Sequence, residues 1–376
     1  VKPEYGRALI VAREGHSVVN PDTDDIAAFV AALPKAELHL HLIGCATPET
    51  VLALAREHPH LGVPSDPEEL RRYYEFTDFA HFLEVYAQVC DLVRSAEDVL
   101  ILLDDVGAQL AADGVRYAEI QVGPLRHRAA GIGYAELAEA LSAGRDLVAD
   151  HHGVELGWII AADTAHGLES AEAALEFATR HRPRGTVGLG LGGPEVGAPR
   201  SAFARVFTEA RDAGLRAAPH AGETVGPAEV WSALRDLHAD RIGHGIAAAA
   251  DPALCAHLAE TGIALEVCPT SNLRTGAVAS LAEHPIRTLL DAGVPVTLAT
   301  DDPAMFGADL NREYELCHTL WGLAPGELAD LARASARAAF CSAERRDAIL
   351  AEIDAVCDHF AVPSSANRSS IPAVSS

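Results

Sequence analysis

Eight short apolar runs, each followed by a longer amphipathic stretch, recur along this chain, and that repetition narrows the folds open to it. The runs cover 36–42, 115–122, 154–160, 186–191, 216–220, 241–244, 263–268 and 296–299. Each is mostly apolar on both faces, as a strand buried between two layers requires. The spacing between them predicts helices over 96–113, 135–150, 171–182, 201–213, 227–237, 252–261 and 285–292. Several of these are followed by a glycine (Gly114, Gly153, Gly214, Gly262, Gly293), the residue expected just past a helix C-terminus. Eight strands alternating with helices fit a (β/α)8 barrel of the TIM type better than an open doubly wound sheet. No Gly-x-Gly-x-x-Gly fingerprint follows the first run. Gly188, Gly190, Gly192 and Gly193 instead make a glycine-rich strand end that permits close backbone approach to a ligand.

The chain divides into an N-terminal extension (1–32), one barrel domain (33–360) and a serine-rich tail (361–376) expected to be disordered. A formal net charge of −25 repels polyanions, so neither nucleic acid nor an anionic membrane is an expected partner. Seven scattered cysteines with no C-x-x-C pair argue against a disulfide framework or a thiolate zinc site. No apolar run is long enough to span a membrane, and the N-terminus lacks the order of a signal peptide, so a cytoplasmic protein is expected.

Barrel enzymes carry their chemistry where strands end, at the C-terminal face. The first strand here ends in His39 and His41, two positions apart and therefore on one face. The fifth ends in His220-Ala221-Gly222-Glu223, the sixth in Gly243-His244-Gly245, and the last runs into Thr300-Asp301-Asp302-Pro303. Taken singly each has an ordinary explanation: a satisfied strand-end histidine, a first-turn carboxylate, a turn residue, a helix cap. Together they bring imidazoles and carboxylates to one barrel mouth. Neutral imidazoles with a carboxylate and no thiolate suit a catalytic zinc that keeps a position for water and brings that water's pKa to about 7. Glu223 and His244 are the available proton donor and water-orienting group.

In order and spacing, His-Leu-His-Leu-x-Gly, His-Ala-Gly-Glu, Arg-Ile-Gly-His-Gly, Leu-Glu-Val-Cys-Pro-Thr-Ser-Asn and Thr-Asp-Asp-Pro resemble the adenosine deaminase family of the amidohydrolase superfamily. The resemblance runs from about Leu33 to about Leu350. It implies one zinc ion held by His39, His41, His220 and Asp301, and hydrolytic removal of the 6-amino group of a purine nucleoside. By the same resemblance Glu223 gives a proton to N1, His244 and Asp301 position the hydroxide that attacks C6, Asp302 meets the ring near N7, and the Gly193 backbone contacts N3. The zinc deaminases marked by H-x-E and P-C-x-x-C are a different fold, and neither signature occurs here. Other reactions open to such a metal site are hydrolysis of amides, lactones or phosphoesters. Relatives that perform these often bridge two metals through a modified lysine, and no lysine falls in a predicted strand. A barrel that keeps the metal only for protein interaction would be expected to have lost part of this set, which is complete.

One position departs from the adenosine-specific members, which carry an aspartate for the ribose 5′-hydroxyl two residues after the second histidine. Here it is Ile43. A hydroxyl left without a partner there costs about 1–3 kcal/mol, which points to a substrate with something other than a hydroxyl at C5′. The branch with an apolar residue at this point acts on 6-amino-6-deoxyfutalosine, an adenine nucleoside with a carboxyphenyl ketone at C5′, in the futalosine route to menaquinone. An aromatic extension suits Ile43 and the stretch Tyr73, Tyr74, Phe76, Phe79, Phe82 and Tyr86, with Phe79 and Phe82 as substrate contacts. Arg126 and Arg274 are candidates for the carboxylate. Adenosine or 2′-deoxyadenosine, and then free adenine, are the alternative substrates.

Overall fold

In the computed structural model, which describes residues 23–362, eight parallel strands stand in sequence order around a ring. They are β1 (Lys35–His41), β2 (Val115–Val122), β3 (Glu155–Asp163), β4 (Thr186–Gly192), β5 (Arg216–Ala221), β6 (Arg241–His244), β7 (Ala264–Val267) and β8 (Val296–Leu298). Each pairs in parallel with the next. The ring closes between β8 and β1 through a single bridge, Leu40 to Asp301. Two backbone bonds make it: His41 N–H donates to Asp301 O at 3.0 Å, and Asp301 N–H donates to His39 O at 3.1 Å. The barrel seam therefore runs through three of the four metal-ligand candidates.

Local chemistry explains the ring of helices. Thr47, Asp66, Ser95 and Asp251 cap helices beginning at Pro48, Pro67, Ala96 and Pro252, their side-chain oxygens accepting first-turn N–H groups. Gly153 and Gly262 end two helices in the left-handed conformation. Leu38, Leu40, Ile120, Trp158 and Ile160 are buried in the apolar core. The alternate positions of the same strands point inward: Glu119 of β2 pairs with Arg241 of β6, and His39 of β1 with Glu266 of β7, contacts between non-neighbouring strands that cross the barrel interior. Strands that read as apolar on both faces thus line a polar, fully buried interior.

Several boundaries differ from the sequence expectation. β3 runs three residues beyond 160, to Asp163, because Ala161, Ala162 and Asp163 keep pairing with β4 although their side chains carry no strand signal. The helix expected over 171–182 starts at Gly167 and passes into a π-helical turn, Phe177–His181. β1 starts at Lys35, so one lysine does lie in a strand. It cannot bridge metals: Lys35 is four residues before His39, about 13 Å along an extended strand. Its ammonium donates instead to Val30 O, Leu33 O and Asp113 O at the opposite end of the barrel.

Within the stretch ahead of the barrel, Thr23–Ala32 is a helix with Ile26, Phe29 and Val30 buried. Phe29 meets the ring of Phe360 edge-on at 5.4 Å. The rest of that stretch and nearly all of the serine-rich tail lie outside the described residues. Replacing Phe29 by alanine is expected to cost about 3–5 kcal/mol, measurable as a lowered urea midpoint. A loss below about 1 kcal/mol would make this helix an appendage instead of part of the domain.

Candidate metal centre

His39, His41, His220 and Asp301 present one ligand atom each within 4.8 Å of one another at the C-terminal mouth of the barrel. His39 Nε2 lies 3.0 Å from His220 Nε2 and 3.5 Å from Asp301 Oδ1, and His41 Nε2 lies 3.1 Å from the same oxygen. Crowding this close requires Gly243 on β6. A Cβ there would fall 2.8 Å from His39 Cε1 and 3.1 Å from His220 Nδ1. Two of the five non-glycine residues at positive φ among the described residues are here, His244 at 56° and Asp301 at 66°. Such backbone costs of order 1–3 kcal/mol and persists where surrounding structure over-determines it.

The cluster requires positive charge. Burial alone would hold His39 unprotonated, yet its bonds to Asp301 and Glu266 push it up to about 10. Asp301 stays ionised despite complete burial, held well below the usual carboxylate range by hydrogen bonds from His39 and His41. Burial, with the positive charge of His39 beside it, holds His220 well below the usual histidine range. A divalent cation in place of the shared proton satisfies the imidazole lone pairs and the carboxylate together, so three nitrogens and one oxygen fit such an ion. His39 Nδ1–H donates to Glu266 at 2.7 Å, fixing the ring with Nε2 facing the site. Glu266 accepts in turn from Arg241, which also donates to Glu119 and lies over the Phe340 ring at 3.6 Å.

Glu223 and His244 border this cluster. His244 Nε2 is 3.6 Å from Glu223 Oε2 and 3.7 Å from Asp301 Oδ2. Burial, with the Asp301 and Glu195 carboxylates nearby, pushes Glu223 up to about 8, so it carries a proton at neutral pH. Its segment is clamped from beneath. The Glu195 carboxylate accepts the backbone N–H groups of Gly222, Glu223 and Thr224 at 2.7, 3.0 and 2.6 Å. Ser271 donates to Asp301 Oδ2 at 2.6 Å and Thr275 to Glu223 Oε1 at 3.2 Å. Asp302 is buried with Oδ1 unpartnered, its carboxyl raised well above its usual range by burial and by Asp301. It packs against Gly44, where a Cβ would sit 1.8 Å from that oxygen.

A cavity of about 330 Å³ opens onto these groups. Ile43, Phe79, Phe82, Tyr86, Leu83, Leu125, Gly193 and Arg126 line it together with His41, His220, Glu223, His244, Asp301 and Asp302. Among the described residues, the one ionic neighbour of Arg126 is Asp91, 4.0 Å away. Arg274 lies elsewhere: it donates to Tyr74 O and lies 5.6 Å from the Phe76 ring, supporting the aromatic helices. Tyr73, Tyr74 and Phe76 likewise pack behind Phe79 and Phe82 and do not line the cavity. The sequence reading gave no role to Glu195, Glu266, Arg241, Ser271 or Thr275, although Arg241, Glu266 and Ser271 lie within its motifs. For Glu266 and Arg241 the available signal was a charge inside an otherwise apolar strand.

A parallel eight-stranded barrel whose mouth carries a cluster that fits a divalent metal ion is an amidohydrolase-type architecture. The sequence model of the family described as adenosine deaminase matches residues 34–356, and the chain belongs to that family. It is 49% identical to the aminodeoxyfutalosine deaminase of Streptomyces avermitilis over 332 residues, 88% of this chain and 93% of the relative. Its fold matches the crystal structure of adenine deaminase from Arthrobacter aurescens with a TM-score of 0.83 and 33% identity, covering 87% of this chain and 99% of that one. It equally matches a Burkholderia ambifaria amidohydrolase with bound Zn, at TM-score 0.83, 27% identity, and 92% and 97% coverage. The protein is a hydrolytic deaminase acting on C–N bonds.

Removing Arg241 leaves Glu119 buried without a counter-charge and Glu266 with His39 alone. Arg241→Ala is expected to lose about 3–5 kcal/mol of stability and, through His39, about 10- to 100-fold in metal affinity. Urea unfolding and chelator competition measure the two effects. Unchanged metal affinity would disconnect the barrel interior from the site.

Proposed function

We propose that this chain removes the 6-amino group of an adenine nucleoside carrying a large 5′ substituent, 6-amino-6-deoxyfutalosine, in the futalosine route to menaquinone. The observation that carries the reading is the buried Ile43 on the cavity wall, where a free 5′-hydroxyl finds no acceptor. Phe79, Phe82, Leu83 and Leu125 continue that apolar wall, and Arg126 is the cation this reading assigns to the substrate carboxylate. The 49% identity to an aminodeoxyfutalosine deaminase supports the same substrate. Free adenine is the second reading, favoured by the likeness to an adenine deaminase.

In this proposal zinc is held by His39, His41, His220 and Asp301 and, when bound, supplies hydroxide at neutral pH. Protonated Glu223 donates to N1, drawing electrons from C6 and making it accept the attacking oxygen. His244 and Asp301 orient that oxygen. Asp302, protonated and otherwise unpartnered at Oδ1, donates toward N7, and the Gly193 backbone contacts N3. The C6–N bond breaks with a proton passing to the amine, so one water is consumed and one ammonia released.

Glu223 must be protonated in the free enzyme, so kcat/KM should fall about tenfold per pH unit above about 8. Glu223→Gln should retain the metal yet lose most turnover, and near-normal turnover would remove Glu223 from the acid role. Absorbance at the hypoxanthine band, followed with aminodeoxyfutalosine, 5′-methylthioadenosine, adenosine and adenine, tests the substrate. Aminodeoxyfutalosine should have the highest kcat/KM, and Ile43→Asp should shift preference toward adenosine by about 1–3 kcal/mol, or 5- to 150-fold. A clear preference of the parent enzyme for adenosine or adenine would overturn the assignment.

A further inference from the structure

A chain of hydrogen bonds beginning at a backbone amide runs into the site and determines which nitrogen of His244 carries its proton. The Ile286 N–H lies 3.2 Å from His284 Nδ1. A backbone amide only donates, so His284 Nδ1 accepts and the proton of the neutral ring is on Nε2. His284 Nε2 is 3.1 Å from an amide atom of Asn272, which must accept and is therefore Oδ1. That turns Asn272 Nδ2 toward His244 Nδ1, 3.2 Å away, and an amide nitrogen only donates. His244 Nδ1 is thus an acceptor. Its single proton is on Nε2, the atom that faces Asp301 and Glu223. All three side chains are buried, so bulk solvent offers none of them another partner.

The links come from three places in the fold. Asn272 is in the short helix Pro269–Arg274 after β7, His284 precedes the helix Ile286–Asp291 with its ring 5.6 Å from that of Trp321, and His244 ends β6 at positive φ. Neither Asn272 nor His284 lines the cavity.

We propose that Asn272 and His284 are positioning residues that hold His244 as its Nε2–H tautomer, so that His244 donates a hydrogen bond to the attacking oxygen and takes no proton from it. The inference rests on reading this site as a deaminase centre. The proton that the oxygen still carries once it has bonded to C6 then passes to the Asp301 carboxylate and on to the departing amine, since Glu223 enters carrying the proton destined for N1.

The test reads the tautomer directly, by long-range proton–nitrogen correlation on protein labelled with 15N-histidine, with the His244 signals identified by their loss in His244→Asn. The parent is expected to show Nε2–H at His244. His284→Phe removes the donor to Asn272, frees the amide to turn over, and should abolish the single Nε2–H state. Its kcat should fall by about 10²- to 10⁴-fold, the range for a misplaced catalytic proton, with KM and metal content nearly unchanged. His284→Gln, whose amide can still donate to Asn272, should recover most of both. Asn272→Asp, which only accepts, should drive His244 to Nδ1–H. A parent with Nδ1–H at His244 overturns the proposal, as does His284→Phe with its Nε2–H signature intact, whatever its turnover. A parent with the Nε2–H signature that deaminates no purine would instead sink the functional reading and leave the tautomer assignment standing.

Discussion

The Leu40–Asp301 bridge ties the closure of the barrel to the assembly of its polar mouth. It closes the barrel, and it does so with the backbone of residues whose side chains converge on one point. His39 and His41 flank the bridge on β1 while Asp301 extends from β8, so closing the ring and assembling the cluster are one event. Asp301 takes a left-handed φ of 66° to satisfy both demands. A ring with that seam open would lose its fourth ligand along with its last strand pairing.

Around the seam the barrel interior is organised to hold charge. Uncompensated, Asp301, Glu266 and Glu119 would each pay a heavy desolvation cost. Arg241 and His39 supply the opposite sign, so Glu266 lies below its usual carboxylate range although burial opposes this. The same burial has the opposite result where neighbouring carboxylates, Asp301 above all, outweigh any cation: Glu223 and Asp302 are pushed above their usual range. One mouth therefore holds a carboxylate kept ionised beside two pushed toward their protonated forms, and that difference separates the carboxylate of the ligand cluster from the two that the proposed mechanism uses as donors to a purine ring.

Much of this was legible in the chain because strand ends are local. His39-x-His41, His220 to Glu223, His244 and Asp301-Asp302 announce themselves as polar residues at the close of apolar runs, and the structure brings them to one mouth. What was not legible depends on which strands face each other across the barrel. Glu266 and Arg241 matter through His39, on a strand about 200 residues earlier in the chain, and no spacing rule links them. Glu195 and His284 act through backbone amides, a role with no side-chain signature. Arg126 and Arg274 were equivalent as sequence and differ only in where their helices point them. Lys35 was placed outside β1 because a charge at the start of an apolar run reads as a boundary, whereas carbonyls of the preceding segment stabilise it inside.

The proposed chemistry depends on His39, His41, His220 and Asp301 holding one divalent cation. X-ray absorption at the metal edge of the purified protein, with elemental analysis of the same sample, addresses this most directly. The prediction is one zinc per chain with a first shell of nitrogen and oxygen at about 2.0–2.2 Å and no sulfur. Cys268 is the informative neighbour, its thiol pushed well above its usual range by burial and within reach of His244 and Asp301 in an alternative three-ligand set. Sulfur scattering at about 2.3 Å, or protein that deaminates fully with no stoichiometric metal, would contradict the account.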